Sequence, residues 1–234
     1  KRLNNYPLKR NLVTGGAGFI GTNLIKRLAK DSYYVVSLDN YSTGLKENEI
    51  DGVNYITSDI ESILEIKENF DICFHLAAQS RVQPSFENPR ESLKTNIMGT
   101  SKVMEWAKKN KVKVVYAGSS SKHHDPSDSP YAMSKYLGEE VCNLYKKSFK
   151  VNAEIARFYT VYGPYEPLDE KFGNVIGIWQ VKVSKKEPLQ IVGDGEQKRD
   201  FTHVNDIFDG LIKIGESDAK LDDACEIGTG VNYS

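Results

Sequence analysis

Tyr131-Ala132-Met133-Ser134-Lys135 sets a phenol and an ammonium four residues apart, which on a helix brings both to one face. A cation there favours phenolate and draws the tyrosine down from its usual ~10 toward working pH, so the pair predicts a proton acceptor. Upstream, Ser119-Ser120-Ser121 closes an apolar run. A hydroxyl at that strand end reaches both a reacting hydroxyl and the tyrosine. Counting from the strand end favours Ser119 and matching the serine triplet favours Ser121; Ser119 is taken as catalytic, with Lys135 and Tyr131, and Ser120 as a substrate contact.

A second group can hold a dinucleotide. In Thr14-Gly15-Gly16-Ala17-Gly18-Phe19-Ile20-Gly21, Gly15 and Gly18 let the backbone turn tightly and approach a pyrophosphate, whose charge is favoured at the start of a helix through Phe19 and Ile20. Gly21 lets that helix pack closely. Asp39 ends the next apolar run, eighteen residues past Gly21. Its carboxylate accepts from adenosine ribose hydroxyls and repels a 2′-phosphate, which favours NAD over NADP. Asn40, Ser42, Thr43 and Gly44 follow as cofactor contacts. Asp59, before Ile60, either reaches the adenine amine or caps a short helix. Leu76-Ala77-Ala78 offers small side chains where a backbone must pass close to the cofactor.

These residues need a scaffold, and short apolar runs alternating with amphipathic stretches supply one. Strands are expected at Leu8–Thr14, Tyr33–Leu38, Val53–Thr57, Asp71–Leu76, Val112–Ala117 and Val151–Arg157. Helices are expected at Phe19–Ala29, Ile60–Lys67, Glu91–Lys109 and Pro130–Lys147, with Pro130 suited to a helix start. Helical crossovers make a parallel sheet covered on both faces, an α/β doubly wound sheet of the Rossmann type. Beyond Arg157 the prolines and glycines from Pro164 to Pro188 break the rhythm. A dinucleotide-binding domain is therefore expected over 1–160. A smaller substrate-facing region, interleaved with the last elements of the sheet, is expected over 161–234. Gly228 to Ser234 reads as a strand and turn leading onward, so the natural protein is expected to continue.

Composition narrows the function classes. Apolar residues at 39% and charged residues at 27% describe a soluble globular chain, and no apolar run nears the ~20 residues that span a bilayer. The basic start, Lys1–Arg10, lacks the apolar stretch of a secretory signal, so a cytoplasmic location is expected. A net charge of −1 gives no case for nucleic acid. The lysine clusters at 108–111, 146–147 and 185–186 read as solvated helix faces. Cys73, Cys142 and Cys225 lack paired spacing, the first two reading as buried fillers. His123-His124 has no ligand cluster around it and reads as loop surface, while His75 and His203 read as satisfied core histidines. No metal is expected.

Taken together, the glycine turn, Asp39, Asp59, His75-Leu76-Ala77-Ala78, Asn96-Ile97-Met98-Gly99-Thr100, the serine run and Tyr131/Lys135 resemble the extended short-chain dehydrogenase/reductase family of nucleotide-sugar epimerases and dehydratases. Arg157 to Pro164 and Gly193 to Phe201 resemble two further signatures, so the likeness covers almost the whole chain. It implies that Tyr131 is the general base and that Lys135 also holds the nicotinamide ribose, with Asn96 and Tyr159 along the cofactor. It implies substrate contacts at Ser80, Thr160, Asn174, Val175 and Arg199, the arginine fork suiting a pyrophosphate or ribose; an ion pair of Arg199 with Asp200 or Asp206 is the alternative. The family pattern has asparagine where Thr160 stands, and the segment from Lys122 to Ser129 is short.

The resemblance implies oxidation of a sugar hydroxyl to a transient ketone, followed by reduction from the opposite face, with no net redox. Dehydratases of the family carry an Asp-Glu pair after the serine, where this chain has Ser120, Ser121 and Lys122. Reductive 3,5-epimerases use a cysteine and a histidine, and Cys73 and Cys142 lie in other segments. The expectation is epimerisation at C4 of a UDP-hexose. A nucleotide-sugar 4,6-dehydratase or another oxidoreductase of the family, or an NAD(H)-binding module without catalysis, are the alternatives. The helices from Glu91 and from Pro130 resemble those that pair across a homodimer, and surface polysaccharide synthesis is the family's usual destination.

Overall fold

Strand-forming runs and amphipathic helices alternate along the chain much as their periodicities dictate. The structure, a computed structural model, describes residues 9–169, 171–191 and 193–234. In order, β1 (Arg10–Thr14) leads through the glycine turn into α1 (Phe19–Lys30), then β2 (Tyr34–Asp39), β3 (Asn54–Thr57), a 3₁₀ turn at Ile60–Glu65 and β4 (Ile72–His75). Next come α2 (Val82–Glu87), α3 (Pro89–Leu93), a π-helical stretch at Lys94–Gly99 and α4 (Thr100–Asn110). After β5 (Lys113–Ser119), α5 (Pro130–Phe149) and β6 (Ala153–Phe158), the chain forms β7 (Thr160–Tyr162), α6 (Val175–Lys185) and β8 (Arg199–His203). It finishes with α7 (Val204–Glu216), β9 (Cys225–Ile227) and β10 (Asn232–Tyr233).

The main sheet runs β3-β2-β1-β4-β5-β6-β9, with every pairing parallel. It is the doubly wound sheet expected from the alternation. Successive residues of a strand point to opposite faces, so Leu12 and Cys73 enter one core while Val13 and Phe74 enter the other. The first core packs Val103, Met104 and Trp106 of α4 with Cys142 of α5; the second packs Leu24, Ile25 and Leu28 of α1 with Ile207 and Leu211 of α7. Strand order reverses between β1 and β4, and that reversal opens a crevice at the strands' carboxyl ends. A second sheet, β10-β8-β7, stands beside it.

Some elements depart from expectation. Leu8 lies outside the described residues. The helix expected over Glu91–Lys109 begins at Pro89, with the Asn88 side chain accepting from the Glu91 amide, and passes through the π stretch before α4. Helix α2 has no sequence counterpart because six residues containing Pro84 carry no readable period. Lys146 is not on a plain solvated face, since its ammonium meets the buried Glu154 carboxylate at 3.2 Å. His75 is buried between Thr14 Oγ1 at 2.8 Å and Thr100 Oγ1 at 3.0 Å, and burial lowers it to about 3. His203 is not a core residue: it is part-exposed and caps α7, with Nδ1 accepting from the Asn205 amide. Cys73 and Cys142 are buried free thiols pushed up by burial. Among the described residues no helix is long and apolar enough to cross a membrane, and no group of three His, Cys, Asp or Glu side chains is placed to hold a metal ion.

Candidate active site

A cavity of about 1370 Å³ follows the carboxyl ends of the main sheet's strands and extends to α6 and the second sheet. On its dinucleotide side, the turn after β1 is shaped by two glycines. Gly15 has φ +74°, and a Cβ there would meet the Ala77 amide nitrogen at 2.8 Å. A Cβ on Gly21 would sit 2.1 Å from the Gly15 carbonyl, so α1 closes on the turn itself. A Cβ on Gly18 would meet only the Gly15 oxygen, at 3.4 Å, and no side chain caps α1. Its first amides are therefore available to an anion.

The Asp39 carboxylate accepts from Ala17 N at 2.9 Å and Tyr41 N at 2.7 Å. Each oxygen keeps acceptor capacity for a hydroxyl. Asp59 does not use its side chain as a cap; it accepts from Asn40 Nδ2 at 2.8 Å. Phe19, Ile20, Asn40, Ser42, Thr43, Gly44, Ile60, Leu76, Ala77 and Ala78 all reach the same cavity. This donor and acceptor set fits a dinucleotide: uncapped amides for the pyrophosphate and a carboxylate for a ribose.

Tyr131, Ser119 and Lys135 converge farther along. The Tyr131 hydroxyl donates to Ser119 Oγ at 3.3 Å. Ser121 is off the cavity wall, its amide donating to Ser119 Oγ at 3.2 Å. Ser129 caps α5 by accepting from the Ala132 amide, and the Tyr131 amide donates to Ser85 Oγ of α2 at 3.1 Å. The expected effect of Lys135 on the phenol is corrected by the geometry. Its ammonium donates to the Ala117 carbonyl at 2.8 Å, and burial lowers it to about 8. Burial raises Tyr131 above its ordinary value, opposed by the Ser119 hydrogen bond and the charge of Arg81. Desolvation thus outweighs the nearby cations.

Asn96 departs from its expected place along the cofactor. It is buried off the cavity wall: Nδ2 donates to Gln79 O and Ser134 Oγ, and Oδ1 accepts from Gln79 N. Ser134 in turn donates to the Tyr131 carbonyl at 2.8 Å, so the asparagine braces the turn that carries the phenol. Tyr159 lies on the wall, its ring stacked on His123 with centroids 6.5 Å apart. His123 also pairs with Glu226 at 3.1 Å, so it is more than loop surface.

The expected substrate contacts Ser80, Ser120, Thr160, Asn174, Val175 and Arg199 all line the cavity. Asn174 Oδ1 accepts from Ile176 N and Gly177 N, capping α6, and its Nδ2 donates to Val161 O at 2.6 Å. Arg199 makes neither alternative ion pair. It donates to Lys198 O and Gln197 Oε1, while Asp200 is taken by Thr202, Thr229 and Gly230.

Of the charged wall residues outside the expected set, Glu61, Glu91, Lys94 and Asp169 are exposed, whereas Arg81 and Glu166 are withdrawn from water. Arg81 is part-buried, and among the described residues it makes no hydrogen bond or ion pair. Burial lowers it, opposed by the charges of Tyr131, Glu166 and Asp169. Glu166 is 6% exposed and accepts from Gly163 N at 3.1 Å and Asn174 Nδ2 at 3.4 Å, and burial raises it. A signal for Arg81 was present: it is the one charge in the small and polar run Ala77-Ala78-Gln79-Ser80-Arg81. Glu166 had none, because its burial depends on a loop that folds back on α6.

With the geometry in place, comparison with known proteins gives a consistent answer. Residues 11–228 match the model of the NAD dependent epimerase/dehydratase family. A Methanocaldococcus jannaschii protein with the provisional name UDP-glucose 4-epimerase is 36% identical over 214 residues, which are 84% of this chain and 70% of that protein. The structure of UDP-glucose 4-epimerase from Thermotoga maritima with UDP-glucose aligns at TM-score 0.89 and 27% identity, covering 96% of this chain and 78% of the other. UDP-glucuronic acid 4-epimerase from Bacillus cereus, in complex with UDP-glucuronic acid and NAD, aligns at TM-score 0.85 and 29% identity, covering 96% and 79%.

Proposed function

Because the chain belongs to the NAD dependent epimerase/dehydratase family, we propose that it inverts C4 of a UDP-hexose through a transient 4-keto sugar, with Tyr131 as the proton-transfer group. The observation that carries this reading is the 3.3 Å hydrogen bond between Tyr131 and Ser119 on the wall of the cavity that also holds the glycine turn and Asp39. When bound, NAD supplies the acceptor and then the donor of the hydride.

The chain's own residues do the rest. Ser119 orients the C4 hydroxyl against the phenol, and Tyr131 takes its proton as the carbonyl forms and returns it after the sugar presents its other face. The Ser119 hydrogen bond and the charge of Arg81 oppose the rise that burial imposes on Tyr131 and so favour the phenolate that accepts this proton. Lys135, pinned to Ala117 O, stands on the cavity wall where it can hold a ribose hydroxyl. The residues after Ser119 are Ser120, Ser121 and Lys122. This supports epimerisation over dehydration, which needs a further acid and base.

The test is proton NMR of the protein with NAD and, separately, UDP-glucose, UDP-N-acetylglucosamine and UDP-glucuronate. The expected result is a new anomeric signal from the 4-epimer with no net NADH. A keto-deoxy product would move the reading to a dehydratase, and loss of C6 to a decarboxylase. Retained NAD with no product from any sugar would leave a binding module. The same reading includes a homodimer through α3, α4 and α5, where Leu93 and Leu144 stand exposed; light scattering at micromolar protein should give twice the chain mass, and a monomer mass would refute it.

A further inference from the structure

Arg81 stands out because it is a cation on the wall that also bears Tyr131, and among the described residues it makes no hydrogen bond or ion pair. It directly precedes α2, and α2 docks on the first turn of α5 through the hydrogen bond from the Tyr131 amide to Ser85 Oγ, 3.1 Å. That contact holds α2 against the first turn of α5; Arg81, Ser119 and Tyr131 share the cavity wall, and the charge of Arg81 acts on the phenol. Two carboxylates of the facing loop act on the guanidinium by charge, without a hydrogen bond to it. Glu166 Oε2 accepts from Gly163 N and Asn174 Nδ2 while its buried Oε1 has no hydrogen-bond partner among the described residues, and Asp169 Oδ1 accepts from Lys171 N at 2.9 Å and Phe172 N at 2.8 Å. A guanidinium withdrawn from bulk water without a hydrogen-bonded counter-charge is costly, and its planar fork matches a carboxylate or phosphate.

Which anion meets it follows from the hexose, given the C4 reading above, on which this inference rests. With C4 at Tyr131, the nearest exocyclic carbon is C6, borne on the adjacent C5, whereas the pyrophosphate leaves from C1 across the ring. We infer that Arg81 selects a hexose with a carboxylate at C6, a UDP-hexuronate, over the neutral hexose. The carboxylate is received on the guanidinium fork while Tyr131 and Ser119 engage the neighbouring C4 hydroxyl.

The experiment is calorimetric titration of the NAD-loaded protein with UDP-glucuronate, UDP-glucose and UDP, for the native sequence, Arg81→Gln and Arg81→Lys. The native protein should bind UDP-glucuronate at least about tenfold more tightly than UDP-glucose, a preference on the scale of one charge-assisted contact. Arg81→Gln should bring that ratio close to one while changing affinity for UDP by less than about threefold, and Arg81→Lys should keep part of the preference. Equal affinity of the native protein for the two sugars overturns the inference, as does a ratio that Arg81→Gln leaves in place. Loss of UDP affinity equal to the loss for UDP-glucuronate would put the guanidinium on the pyrophosphate and also overturn it. The native ratio decides even if Arg81→Gln fails to fold. Failure of the epimerase reading is a separate result: no 4-epimer by NMR, whatever the binding ratio.

Discussion

The dinucleotide cradle and the sugar-facing wall share one cavity, yet they are built from different materials. The cradle is largely backbone, with Gly15 against Ala77, Gly21 against Gly15, and Asp39 held by the amides of Ala17 and Tyr41. It is carried at the ends of β1, β2 and β4, whose side chains fill both cores. The sugar-facing wall is largely side chain, gathered from segments far apart in the chain: Arg81 before α2, Ser119 after β5, Tyr131 on α5, Glu166 in a loop and Arg199 on β8. Glu166 Oε2 and Asn174 bond within their own segment, whereas Glu166 Oε1 and the Arg81 guanidinium make no hydrogen bond among the described residues. A cradle of backbone cannot change ligand without changing the fold, whereas a wall of side chains can be retuned one residue at a time.

Three substitutions probe that division, and the largest effect is expected on the sugar side. Tyr131→Phe should lower kcat about 10³-fold, within the usual range for losing a proton-transfer group. NAD affinity, followed by fluorescence titration, should move less than about threefold. If NAD binding collapses as well, the two regions are not separable. Next in size is Gly21→Val, which drives a side chain into the Gly15 carbonyl. Backbone cannot yield as a flexible side chain does, so a loss of about 3 kcal/mol in urea unfolding is expected, together with weaker NAD binding. Full stability would mean that α1 can lift from the turn. The smallest effect is expected for Asp39→Asn, which keeps the shape but removes the charge. NAD should bind about tenfold more weakly and NADP should gain relative to it, on the scale of one charged hydrogen bond. Unchanged discrimination between the two cofactors would mean that the carboxylate serves only Ala17 and Tyr41.

The glycine turn and Asp39 were legible because each is a local feature. A glycine turn between a strand and a helix, and a carboxylate ending the next strand, are features of consecutive residues, and their geometry is set by φ, ψ and period. Ser119, Tyr131 and Lys135, proposed above as the catalytic trio, were readable on the same ground, since Ser119 ends a strand and Tyr131 and Lys135 share one helix. The bonds that Asn96 makes were not legible, for a different reason. Its family motif was readable, but only the packing of α5 on the π stretch shows the amide bracing Gln79 and Ser134. The electrostatics of Tyr131 were misjudged likewise, because spacing brings Lys135 near the phenol whereas burial decides the sign of the shift.

By itself, the sequence determined the parallel sheet, the dinucleotide turn, the acidic end of β2 and the tyrosine, lysine and serine that could carry the chemistry. Each follows from local period and residue type. Tertiary structure decided that Ser119, not Ser121, meets the Tyr131 hydroxyl, that the Asn96 amide bonds Gln79 and Ser134, and that Glu166 Oε2 is engaged by its own loop. It also decided that Arg81 stands on the cavity wall with no hydrogen bond or ion pair among the described residues. Those outcomes depend on which distant segments meet and on how much water their meeting excludes, and no single stretch of the chain encodes either.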